Sequence, residues 1–135
     1  MKILIIGLGS IGKKHVDAII SVKPDANIFA LRSAKTEDVY KNVENVYPGD
    51  RLPNTVDFVI ISNVTSMHEA TILEMLHYKC PLFIEKPVIH SLENATELVQ
   101  LIDDKKTVTY VACNLRFHPA LNFIKSYFKK IKRIK

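Results

Sequence analysis

The chain has 135 residues, 47% of them hydrophobic and 24% charged, which is the make-up of one folded domain and excludes a disordered or collagen-like chain. Its net charge of +5 gathers at one end: residues 125–135 hold six of the 19 basic groups and no acid, leaving 13 bases against 14 acids elsewhere. The body of the domain is therefore near neutral, which argues against nucleic acid as a partner.

From the N-terminus, "MKILIIGLGSIG" opens like a signal peptide, but the apolar run is short and glycines follow it. It reads as a first strand, "KILIIG", and the chain is expected in the cytoplasm. No run approaches the ~18 apolar residues of a membrane span, so no membrane partner is expected. A helix follows over residues 10–22, then a second strand, "NIFAL". The stretch 36–54 is expected to hold a short helix and a short edge strand near "NVYP". "DFVIIS" (57–62) is a strong strand, and "SMHEATILEMLHYK" a helix with Ser66 and Glu69 spaced as a capping box. "PLFIE" is the next strand. Residues 91–104 read as a helix opened by Ser91, with Ala95, Leu98, Val99 and Ile102 on one face. "TVTYVACN" is a last strand, with Tyr110 read as packing, and a final helix runs from Pro119 to about Ile134. On that helix Leu121, Ile124, Tyr127, Phe128, Ile131 and Ile134 recur at helical spacing. They are expected to pack on the sheet with the lysines in water; left uncovered, they would favour a homo-oligomer. Cys80 and Cys113 lack metal or redox spacing and read as buried, reduced thiols, with no metal site. Continuous apolar strands alternating with helices specify an α/β fold, a doubly wound parallel sheet in three αβα layers.

Gly7, Gly9 and Gly12 form G-x-G-x-x-G where the first strand gives way to a helix beginning with Ser10 and Ile11. One glycine permits the turn, one lets backbone approach a pyrophosphate, and one allows close helix–strand packing; the helix N-terminus offers unpaired N–H groups to phosphate. Three glycines also make simple turns, but after a first strand in an alternating chain they point to a dinucleotide. An NAD site carries an acid about 20 residues on, at the end of the second strand. Here Arg32 and Ser33 stand in its place with Lys35 close by, so NADP(H) is expected over NAD(H), the alternative being an exposed turn that contains an Arg.

Ligands of such sheets bind beyond the strands' carboxyl ends. The fourth strand ends in Ser62, Asn63 and the segment to His68, the fifth in Glu85, Lys86 and Pro87. On position alone, Lys86 is either a strand end meeting solvent or a cation in a cofactor cleft. His68 reads as an ordinary first-turn residue, His15 as structural, and Arg116 and His118 as capping the sixth strand.

"GLGSIGKKH", "ISNVTSMH", "FIEKPV" and "NLRFHPAL" occur in the order and spacing of the Gfo/Idh/MocA oxidoreductases, and the chain resembles that family over nearly its whole length. The resemblance implies a Rossmann fold and hydride transfer between NAD(P) and a sugar, cyclitol or related hydroxyl or carbonyl carbon. By it, Lys86 is the catalytic lysine of the EKP motif, polarising a substrate oxygen beside the nicotinamide. Glu85 lines the nicotinamide pocket, Pro87 fixes the turn, His68 is the loop histidine, and Asn63 starts that loop. Asn63-Val64 departs from the usual Thr-Pro. Asn114 and Arg116 fall near the nicotinamide side.

The resemblance divides the chain into an NAD(P)-binding domain, 1–118, and a terminal basic amphipathic helix, 119–135, leading to a substrate domain that this sequence lacks. The family's remaining catalytic residues, an Asp and a His, belong to that domain. Weak or no turnover is therefore expected of this chain alone. Its rivals are a redox-sensing module that binds NAD(P) without chemistry, and a basic-tailed interaction domain.

Overall fold

The structure, a computed structural model, describes residues 1–130. Six strands form one sheet: β1 (Lys2–Ile6), β2 (Asn27–Leu31), β3 (Val43–Val46), β4 (Phe58–Ile61), β5 (Leu82–Ile84) and β6 (Thr109–Val111). All neighbours pair in parallel, in the order β3-β2-β1-β4-β5-β6. The helices are α1 (Ser10–Val22), α2 (His68–Met75), α3 (Ala95–Asp104) and α4 (Pro119–Lys130).

Successive side chains of a strand point to opposite faces, and β1 shows why both faces must be covered. Ile3 and Ile5 pack with Leu8, Val16, Ile28, Ala30 and Ile60 beneath α1. Leu4 and Ile6 pack on the other face with Ile61, Ile72, Met75, Leu82, Ile84 and Leu98, beneath α2 and α3. Ile3, Leu4, Ile5, Ile61, Ile72, Met75, Leu82 and Ile84 are each under 2% exposed. Each such side chain contributes ~1.5–3 kcal/mol of transfer free energy. The doubly wound, three-layer arrangement is the one expected.

Several local expectations fail. Between 36 and 54 there is no helix; turns lead into β3, the only regular element there. The Ser66–Glu69 capping box does not form. Ser66 lies in a 3-10 turn, Thr65–Met67, and the Glu69 carboxylate instead accepts from Asn94 Nδ2 at 2.8 Å. The helix expected from 91 begins at Ala95. Ser91 Oγ accepts from the Glu93 amide at 3.2 Å, a side-chain turn that competes with helix. Val99 faces solvent, and Leu101 takes its place against the core. Tyr110, on the edge strand β6, is also exposed, as is Cys113, whereas Cys80 is buried as expected.

α4 starts where His118 Nδ1 accepts from the Ala120 amide at 3.2 Å, with Pro119 in the first helical position. His118 thus caps this helix rather than the sixth strand. The apolar residues Leu121, Ile124, Tyr127 and Phe128 do not pack on the sheet but are exposed. Ile131, Lys132, Arg133, Ile134 and Lys135, also assigned to this helix from sequence, lie outside the described residues.

Candidate functional site

The sheet register aligns Ile6, Leu31, Val46, Ile61, Ile84 and Val111 as one row. The residues after them, Gly7, Arg32, Tyr47, Ser62, Glu85 and Ala112, therefore share one rim. From β1 the chain winds outward to β2 and β3, then returns to β4 on β1's other side, so the crevice opens between β1 and β4. The β1 and β5 ends are two strand spacings apart, about 10 Å.

The three glycines of the loop meet different surroundings. Gly7 has φ +86°, and a Cβ there would lie 2.7 Å from Asn63 Cα and 2.9 Å from Asn63 N. A Cβ on Gly12 would overlap the Gly7 carbonyl oxygen. Gly9, immediately before α1, has no heavy atom of the described residues within 4 Å of that position other than those of its own chain neighbours. Two glycines thus let backbone meet backbone, while the third keeps space open over a helix N-terminus. Ser10 and Ile11 form that helix's opening.

Side-chain ties hold the rim together. Ser62 Oγ donates to the Gly7 carbonyl at 2.8 Å, and Asn63 Nδ2 donates to Thr71 Oγ1 at 2.9 Å. The His68 ring is only 1% exposed, which corrects its reading as an ordinary surface residue. Its Nδ1 lies 2.9 Å from the Pro87 carbonyl oxygen and its Nε2 3.1 Å from that of Asn63. A neutral imidazole donates to one of these at a time. Expected among cofactor contacts, His68 instead spans the loops after β4 and β5, with both nitrogens directed at protein. Ser62 is likewise buried, its hydroxyl directed at Gly7.

At the end of β5, Glu85 Oε1 lies 2.8 Å from His15 Nε2 on α1, each side chain 18% exposed. His15 also meets Phe83 edge to face, with ring centroids 5.3 Å apart. Glu85 Oε2 accepts from the Lys86 amide at 3.2 Å. Lys86 itself is exposed, its ammonium making no ion pair or hydrogen bond among the described residues. The Lys86–Pro87 peptide is cis. Asn114 and Arg116 lie in an exposed 3-10 turn, Asn114–Phe117, beyond β6 at the sheet's outer edge, away from the glycine loop.

At the end of β2 the structure adds a residue that sequence reasoning passed over. Asp38 Oδ2 lies 2.9 Å from Lys13 Nζ and 3.8 Å from Arg32 Nη2. The Lys13 hydrogen bond and charge, with a smaller contribution from Arg32, hold the Asp38 carboxyl below the ordinary carboxylate range. Arg32 is largely covered, and its Nη1 has no hydrogen-bond partner among the described residues. Ser33 and Lys35 are exposed. A cavity of about 540 Å³ lined by Lys35, Thr36, Glu37, Tyr47 and Asp50 lies beyond β2 and β3, to one side of the crevice. Asp38 belongs to no motif, so nothing in the sequence marked it. His15 was visible only as a helix residue three positions after Gly12.

Among the described residues no cluster of His, Cys, Asp and Glu suits a metal ion, and no helix is long and apolar enough to cross a membrane.

The family model described as "Oxidoreductase family, NAD-binding Rossmann fold" matches residues 1–113. An inositol 2-dehydrogenase/D-chiro-inositol 3-dehydrogenase from Lacticaseibacillus casei is 30% identical over 120 residues, covering 80% of this chain and 34% of that protein. The uncharacterized oxidoreductase YrbE of Bacillus subtilis is 31% identical, covering 96% of this chain and 38% of its own length. Among solved structures, scyllo-inositol dehydrogenase from Lactobacillus casei with bound NAD(H) and scyllo-inositol has a TM-score of 0.81. It is 25% identical, over 96% of this chain and 41% of that one. The chain thus spans only 34% to 41% of the length of these relatives.

Proposed function

Because the chain belongs to the Gfo/Idh/MocA oxidoreductase family with its NAD-binding Rossmann fold, we propose that it forms the nicotinamide-dinucleotide-binding part of a hydride-transferring enzyme. The substrate class is a sugar, cyclitol or related hydroxyl or carbonyl compound, a reading supported by the inositol dehydrogenases it resembles. The observation that carries the proposal is the open space over Gly9 at the start of α1, in the crevice where the sheet order reverses.

The residues present fit the cofactor. Backbone at Gly7, Gly9, Ser10, Ile11 and Gly12 would hold the pyrophosphate, in a cradle that a single Cβ on Gly9 would fill. Arg32 and Ser33 flank the adenosine ribose. Ser62, Asn63 and His68 shape the wall between the β1 and β5 ends, and Glu85, Lys86, Asn114 and Arg116 belong to the nicotinamide side. When bound, the nicotinamide ring gives or takes the hydride. Lys86 then acts on the substrate oxygen: its unpaired ammonium holds that oxygen, stabilises negative charge developing on it and can move its proton. Residues 1–118 form the cofactor domain, and the helix from Pro119 leads toward the part that completes the substrate site. Alone, this chain is expected to bind cofactor with little or no turnover.

Fluorescence titration with NADH and NADPH tests the reading. Saturable binding of at least one is expected, and absence of binding to both would overturn it.

A further inference from the structure

The cations at the end of β2 led to an expectation of NADP(H), and the geometry gives them an internal counter-ion. We infer that Asp38 is the specificity-determining residue of the adenosine end and directs the site to NAD(H), an inference that rests on the cofactor reading above.

Lys13 sits in the first turn of α1, directly after Gly12, and Arg32 directly after β2. Both stand at the carboxyl-end rim of β1 and β2, the side on which the adenosine ribose of a dinucleotide lies on a glycine loop of this kind. Both are engaged by one oxygen of Asp38, at 2.9 and 3.8 Å. A 2′-phosphate carries about −1.5 to −2 charges near neutral pH. To use Lys13 and Arg32 it must either displace the Asp38 carboxylate or lie beside it, and like charges so placed repel. A ribose bearing a free 2′-hydroxyl meets the opposite situation. Asp38 Oδ1 has no partner among the described residues and is an acceptor for that hydroxyl. The loop thus supplies, from position 38, the acid that the end of β2 lacks. Arg32 Nη1, covered and unpartnered, is the donor left over for the adenosine side.

Asp38 is exposed, so replacing it leaves the core untouched. The wild-type chain is expected to bind NADH at least about tenfold more tightly than NADPH, one charge-assisted hydrogen bond's worth. Asp38→Asn keeps the shape and removes the charge. It should tighten NADPH about tenfold and weaken NADH several-fold, on the same scale of one charge-assisted bond. Titration with 2′,5′-ADP and 5′-AMP, which lack the nicotinamide half, should show the same shift and so localise it to the adenosine end. Asp25→Asn is the control: it makes the same change in net charge at an exposed acid paired with Lys23, just before β2 at the end of the sheet opposite the crevice, and should leave the ratio unchanged. The inference is overturned if wild type prefers NADPH, if Asp38→Asn leaves the ratio within about twofold, or if Asp25→Asn moves it equally. Wild type that binds neither cofactor overturns the proposed function instead.

Discussion

Replacing Gly7 and Gly9 in turn separates folding from binding. At Gly7, alanine must adopt φ +86°, at a cost of roughly 1–2 kcal/mol for an L-residue in left-handed backbone. Its Cβ would also sit 2.7 Å from Asn63 Cα, a backbone atom that cannot rotate away. Such overpacking costs about 1–3 kcal/mol more. The total, about 2–5 kcal/mol, is a large part of the 5–15 kcal/mol that keeps a domain folded. With a urea m-value near 1.5 kcal/mol/M, the midpoint should fall by more than about 1 M. Gly9 behaves differently, because its φ of −79° suits any residue and its Cβ position is empty. Alanine gains about 0.4–1 kcal/mol by restricting the unfolded chain and loses a similar amount as a poorer N-cap. Stability should therefore hardly change. Binding should weaken about 10- to 100-fold, because the methyl group keeps phosphate from the helix amides and forfeits a charge-assisted hydrogen bond. Urea unfolding followed by NADH titration measures both. A Gly9→Ala chain that binds like wild type, or a Gly7→Ala chain with an unchanged midpoint, would refute the division of roles.

Lys86→Ala should leave stability within about 0.5 kcal/mol, because the side chain is exposed. Cofactor affinity should be nearly unchanged, while under the proposed function turnover, measured with a substrate-binding part present, falls about 10²-fold or more; unchanged turnover would remove Lys86 from the catalytic step. Iodoacetamide should label one thiol in the native chain and two in urea. Cys113 is exposed, whereas burial of Cys80 raises its thiol pKa; rapid native labelling of both would contradict that burial. Asp17 accepts from Lys41 and Tyr40, which depress its carboxyl below 3.8. A depressed folded value gives stability above the unfolded pKa and loses it as pH falls through the folded one. The stability difference between wild type and Asp17→Asn should therefore vanish on acidification through that range, as thermal unfolding at successive pH values would show.

The fold was legible wherever local pattern and burial agree. Strands buried on both faces are continuous apolar runs, and "KILII", "NIFAL" and "FVII" read as strands on that ground. Helix starts were legible only where no side chain competed. Ser91 and Glu69 carry the sequence marks of caps, but Ser91 closes its own turn and Glu69 is held by Asn94. That choice depends on a residue 25 positions away. In the segment 36–54 the edge strand near "NVYP" was legible and the helix expected beside it was not there, because a short stretch bounded by turns has too few periods to tell helix from turn. α4 misled in another way: its apolar stripe gives a sound helix, but periodicity does not say which surface the stripe meets. At the site, residues whose role lies in the backbone or at a strand end were visible. Those defined by a partner across the fold, His15 to Glu85 and Asp38 to Lys13, were not.

That distinction bears on how the family's motif residues act. Ser62 binds Gly7, His68 spans Asn63 and Pro87, and Glu85 reaches His15 on the helix that the glycine loop opens. Each tie joins a different pair of rim segments, so together they join the β1 loop, the β4 loop, the β5 loop and α1. A groove fixed in this way has less ordering entropy to lose when a long, flexible ligand settles in it. It also explains why polar residues recur on a rim where most do not point at the crevice: buried hydroxyl, imidazole and carboxylate groups are stable there only when paired. Lys86 stands outside this scheme. Its backbone is held through Glu85 and Pro87 while its ammonium has no partner among the described residues, and its proposed role at a reacting oxygen rests on that arrangement.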